Sequence, residues 1–277
     1  PVYPTQKFGG HKMFESTLQF PAGFAMFQDI FHAPDPASIM RIIFRWTHFV
    51  AGITWIGMLY FFNLVNVNFM KALDAPTKKV VVPELMPKAL WYFRWGAVVT
   101  VLAGMAYYAM YLIPPDVKNA NSLGNAGANT WLVFFGWLAI AVVFWLIYFF
   151  ILPRIGDGKV LAVVTAVIVI LMSVVIVWCL NEQLLGNVAG REEGFASNKT
   201  LSIGIGGALG VFMMLNVWGI IWPAQKRIIA GTVSGTPAPP ELARRAFLAS
   251  RTNAWLSLPM LFFMATSHGD YVILGRN

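Results

Sequence analysis

Six stretches of the chain, at 46–70, 95–115, 130–153, 160–181, 200–225 and 252–269, contain no Asp, Glu, Lys or Arg. At about 1.5 Å of rise per residue, the first five are long enough as helices to cross a hydrocarbon core of about 30 Å. The sixth is the shortest and carries Pro259, so it reads as a kinked span or a re-entrant segment. Inside lipid every backbone amide must find its partner within the segment or a closed barrel, and runs this long select the helix. Composition agrees: 58% of the 277 residues are hydrophobic and 12% charged, roughly half the charged share of a soluble domain. The expected architecture is an all-α, polytopic transmembrane helix bundle of about six spans. Its parts are an extramembrane or interfacial segment at 1–38, the helical domain at 39–268 and a short tail at 269–277.

The net charge of +8 fits basic loops against an anionic leaflet rather than a nucleic-acid partner. With six spans, eight Lys and Arg fall on the side of the N-terminus and twelve on the other, concentrated at 71–94 and 226–251. The richer side belongs in the cytoplasm, which puts the N-terminus outside and the loops at 71–94, 153–159 and 223–251 inside. A lone Cys179 leaves no intrachain disulfide, and without a CxxCH the sequence attaches no c-type haem. Residues 1–37 lack the apolar core of a signal peptide, while FPAGFAMFQDIF within them reads as an amphipathic patch along the membrane surface.

Polar residues inside the apolar runs are the functional candidates. His48, Gly52 and Trp55 follow at helical spacing and share one face of the first span. His268 lies seventeen residues beyond Arg251, about 25 Å along a helix running the other way, and so reaches the same outer level. Two histidines at one depth on two helices are the minimal ligand set for the iron of a haem b. Gly52 leaves room for a flat macrocycle, and Arg41 and Arg45 are spaced to meet its propionates. The plainer reading of each histidine is a solvated or capping residue at a helix end. A second group gathers toward the cytoplasm: Asn63, Asn66, Arg94, Asn216, Arg251 and Asn253, interleaved with Trp91, Trp95, Trp218 and Trp222. Amides and guanidinium groups beside indole rings suit a planar anionic substrate or a quinone-like molecule. The plainer reading is an interfacial belt, where Trp and Arg collect in any case.

Four segments in order, HFVAGITWIGMLYFFNLVN (48–66), ALWYFRWGA (89–97), NVWGIIWPAQK (216–226) and SRTNAWLSLPMLFFMATSH (250–268), carry a family likeness. Together they resemble the membrane domain of the bacterial membrane-anchored, cytochrome-c-linked urate oxidases, also called urate hydroxylases. The resemblance implies an oxidoreductase of the bacterial inner membrane that converts urate to 5-hydroxyisourate and passes electrons to cytochrome c. With no CxxCH in this sequence, the expectation is a separate cytochrome c, another membrane redox subunit, or a continuation of the chain. The alternative is a non-catalytic anchor or assembly subunit of a respiratory complex.

Overall fold

The computed structural model describes residues 34–186, 196–268 and 272–275. The chain divides into two compact units, Pro1–Ile39 and Met40–Asn277. Of the first, the described part is the start of a helix, where the Asp35 carboxylate accepts hydrogen bonds from the amides of Ala37 and Ser38 at 2.9 and 3.1 Å. The amphipathic patch at 20–31, His11 and His32, and the acidic pair Glu192 and Glu193 lie outside the described residues.

Six long helices follow one another: α1 (Pro36–Ala72), α2 (Ala75–Ser122), α3 (Thr130–Arg154), α4 (Gly158–Leu184), α5 (Asn198–Ser234) and α6 (Pro240–Thr266). The first five are long and apolar enough to cross a membrane. α6 has 27 residues, but Glu241, Arg244, Arg245 and Arg251 occupy its first half. The protein is therefore an all-helical, multi-pass membrane protein.

Helices outrun the charge-free windows at both ends, which corrects the loops read from sequence. The stretch at 71–94 is almost all helix, interrupted only at Leu73 and Asp74, where the Asp74 carboxylate caps α2 by accepting from the Thr77 amide at 2.9 Å. The Thr77 hydroxyl, and after it the Thr77 amide, hold the exposed Asp74 carboxyl below the usual carboxylate range. Pro83 and Pro87 both sit inside α2. The expected loop at 223–251 shrinks to residues 235–239, with Gly235 at a φ of +74° ending α5 in the left-handed conformation glycine adopts without strain. Charge marks where lipid ends, not where a helix does. The turn at 155–157 matches expectation, and Arg244 clamps it by donating to the carbonyls of Ile155 and Gly156 at 2.9 and 2.7 Å.

α5 is the centre of the bundle. Its most apolar window is 67% buried, against 22% for α3. Small residues allow this: Trp137 of α3 lies across Gly207, where an added Cβ would fall 3.1 Å from the indole, and its N–H donates to the Gly204 carbonyl at 2.7 Å. Wide π-helical turns interrupt α1, α2 and α5, at Phe61–Asn66, Tyr108–Leu112 and Val217–Ile221, and rotate the helix face beyond them; another, at Cys179–Leu184, ends α4.

Candidate functional site: a cavity between the first and last helices

A cavity of about 680 Å3 lies among α1, α2, α5 and α6, with Trp137 of α3 on its wall. His48, His268, Arg45 and Gly52 all line it. Along α1 it extends from Arg45 to Tyr60, about 22 Å of helix. Most of the remaining wall is apolar, including Met105, Val211, Met260 and Met264. Arg41 is not on the wall; its guanidinium sits over the Tyr111 ring, 4.9 Å from the centroid. Of the five residues expected around a cofactor, four therefore share one space and the fifth is held by an aromatic ring.

Each histidine uses Nδ1 in a hydrogen bond, and for His48 the partner fixes the tautomer. His48 Nδ1 is 2.8 Å from the backbone carbonyl oxygen of Thr100. That oxygen can only accept, so Nδ1 carries the proton and the lone pair is left on Nε2. His268 Nδ1 is 2.7 Å from Ser267 Oγ, which is itself 2.7 Å from the Met264 carbonyl. With the serine's proton given to that carbonyl, its oxygen accepts Nδ1–H and His268 keeps its lone pair on Nε2; with the proton given to the ring, the tautomer is the reverse. A ring nitrogen free for a metal while the other donates to a fixed acceptor is the arrangement that ligating histidines use. Among the described residues no three His, Cys, Asp or Glu form a metal-binding group. Two imidazoles alone suit a metal that brings its other donors with it, as iron does in a porphyrin.

Glycines give the cavity its shape. A Cβ on Gly104 would fall 2.8 Å from His48 Nδ1 and 2.9 Å from Cε1, so the imidazole fits only because α2 has no side chain there. Gly52 faces Thr100 across ordinary contact distance. Gly57 and Gly210, also on the wall, have no heavy atom within 4 Å of an added Cβ. On the same wall Trp55 is 1% exposed, and its buried indole N–H has no partner. Such an orphaned donor in an apolar site costs about 1–3 kcal/mol, a cost relieved by any occupant that offers an acceptor.

The second group of candidates has a different fate. None of its six residues lines this cavity. Asn216 and Asn253, both fully buried, are bonded to each other: Asn216 Nδ2 donates to Asn253 Oδ1 at 2.8 Å. Trp145 Nε1 donates to Asn216 Oδ1 at 2.9 Å, and Asn253 Nδ2 to the Met213 carbonyl at 2.9 Å. Asn63 bonds the Leu59 carbonyl and Ser250 Oγ, while Asn66 reaches only Met86 Sδ at 3.8 Å and leaves its oxygen unpartnered. The Arg94 guanidinium stacks on Trp222, 3.7 Å from the ring centroid, and that of Arg251 lies over Phe247 of its own helix.

Thr100, Gly104 and Ser267 are the site residues that sequence reasoning passed over, and Trp55 was noted only for sharing the face of His48. Gly104 could have been found as a glycine in mid-span. Thr100 acts through its backbone and leaves no trace in residue type. A family model described as urate oxidase N-terminal matches residues 72–275, which takes in α2 to α6 and His268; α1 with His48 precedes the match. No curated protein and no solved structure matches the chain.

Proposed function

The chain belongs to the urate oxidase N-terminal family, and from that premise we propose that it is a redox protein of the bacterial inner membrane that holds haem b between α1 and α6. His48 and His268 would hold the iron through their imidazoles, Arg45 would offer charge to a propionate, and the glycine wall would leave space for the macrocycle. A haem bound there would supply one-electron chemistry. Thr100 holds the His48 tautomer, and the apolar wall excludes water and lowers the local dielectric. The observation that carries this reading is the pair of histidines facing one apolar cavity, each with Nδ1 engaged in a hydrogen bond.

Urate is a polar anion, and a cavity walled this way offers it little. If the chain is an oxidoreductase of the urate oxidase type, urate is oxidised elsewhere and the cavity relays electrons to a cytochrome c or another membrane redox subunit. One observation favours the second reading, an anchor or assembly subunit without catalysis of its own. The Asn216–Asn253 pair, expected to hold substrate, is fully engaged in packing.

A reduced-minus-oxidised visible spectrum of the purified chain tests the proposal. A six-coordinate, low-spin b-type spectrum is expected, with His48→Ala and His268→Ala each abolishing it or making it five-coordinate. A wild-type chain that binds no added haem, or variants whose low-spin spectrum is unchanged, would remove the haem from this site.

A further inference from the structure

The seam between α1 and α6 is closed at one end and open at the other. At the closed end Tyr60 OH and Ser257 Oγ are 2.9 Å apart, and Asn63 Nδ2 donates to Ser250 Oγ at 2.9 Å. Toward the histidines, Phe49 and Ile53 on α1 and Leu261 on α6 line the cavity, yet they are 55%, 74% and 43% exposed. A side chain that lines a cavity and also faces outward marks an opening. The residues fall on two lips at helical spacing: 49, 53 and 57 on α1, and 261 and 265 on α6. Both stretches belong to apolar runs, so outside here means lipid.

Gly57 is the telling residue. Its φ is not positive, and no neighbour approaches an added Cβ, so neither backbone conformation nor packing requires glycine. Glycine in mid-helix costs about 0.5–1 kcal/mol relative to alanine. What its absent side chain provides is a gap in the lip. Gly210, on the opposite wall, has the same open surroundings.

We propose that the cavity is filled sideways from the membrane, through the opening between the Phe49–Ile53–Gly57 lip and the Leu261–Ala265 lip, by a flat apolar molecule dissolved in the lipid. An iron porphyrin is that molecule if the haem reading holds, and the identity of the occupant rests on that reading; the route does not. Water-borne anions are excluded by the same apolar lips that admit a porphyrin face.

The full chain in liposomes is exposed to a bilayer-dissolved aryl diazirine, irradiated and mapped by mass spectrometry. Labelling is expected at the cavity wall, at Met105 and Val211, as well as on the outward residues Val167 and Leu171 of α4. Gly57→Phe should plug the lip and remove the wall labels while sparing those on α4. Ile53→Trp, at an exposed position, is the second plug should the first fail to fold. No wall labelling in the wild type, or wall labelling unchanged in both plugged variants, overturns the opening. In parallel, haemin is supplied in the vesicle lipid to the ligand-free chain, and the plugged variants should acquire the Soret band at least tenfold more slowly. Equal loading rates count against the opening. A labelled wall with no Soret band in the wild type leaves the opening standing and sinks the haem.

Discussion

The cavity beside His48 and the polar knot around Asn216 are both built from hydrogen-bonding side chains set into apolar helices. In the knot, the bonds run from Trp145 through Asn216 and Asn253 to the Met213 carbonyl, and each amide uses both its oxygen and its nitrogen. In the cavity, each histidine uses one nitrogen and keeps the other, and Trp55 has a buried donor with nothing to give it to. Both regions carry the cost of polar atoms away from water. What separates them is the hydrogen-bonding capacity left over. An intramembrane polar residue points to a ligand when its bonds are incomplete and space lies beside it. When its bonds are complete, it holds helices together.

The sharpest way to break this comparison is to damage the knot. Asn253→Ala leaves Asn216 Nδ2 unpartnered in a buried site, strips the Met213 carbonyl of one of its two donors and opens a cavity at a fully buried position, with an expected loss of about 3 kcal/mol. Denaturant unfolding in detergent measures the loss. The folded fraction should bind haem as the wild type does. An Asn253→Ala chain of normal stability that has lost haem would reverse the roles of the two regions.

Damage on the cavity side should be smaller in stability and larger in spectrum. Gly104→Ala puts a methyl group 2.8 Å from His48 Nδ1, and relieving that overlap costs about 2 kcal/mol. The imidazole must move off the Thr100 carbonyl, so the low-spin spectrum should broaden or become five-coordinate. An unaltered spectrum would mean that the ring does not depend on the gap in α2.

Two tryptophans on one wall give a narrower test. Trp137 donates to the Gly204 carbonyl at 2.7 Å, whereas the Trp55 donor is unused. Trp137→Phe should cost about 1 kcal/mol beyond its lost area, and Trp55→Phe nothing beyond its own lost area. Equal losses beyond area, measured on the ligand-free chains, would show that Trp55 has a partner after all.

Much of the fold was legible because lipid imposes it. Charge-free runs located the apolar part of each helix, but they could not reveal that α2 begins at Ala75 and continues through Pro83 and Pro87, since helix formation depends on the backbone and not on charge. The depth argument that paired His48 with His268 used only rise per residue and alternating direction, and both residues line one cavity. The same argument put Arg94, Asn216 and Arg251 at one level, but depth says nothing of azimuth. Asn216 turned toward Asn253 and Trp145, while Arg94 turned toward Trp222. Nor could a sequence reveal the acceptor of His48, because every residue has a backbone carbonyl.

That difference in acceptors sets the smallest expected effect. His48 donates to a backbone oxygen that no substitution removes, but His268 Nδ1 pairs with Ser267 Oγ, which a single change deletes. Ser267 is 1% exposed and is anchored by its own bond to the Met264 carbonyl, so it offers its oxygen in one direction. Ser267→Ala frees the ring to rotate and removes one hydrogen bond worth about 0.6 kcal/mol at this rim position, which corresponds to about threefold weaker haem binding. Ser267→Thr keeps the hydroxyl and should restore the affinity. Haem titration of the ligand-free chain, followed by the low-spin band, reads both variants. If the alanine variant binds as tightly as wild type, or the threonine variant as weakly as alanine, Ser267 does not orient His268 and only the His48 side of the cavity is built for a ligand.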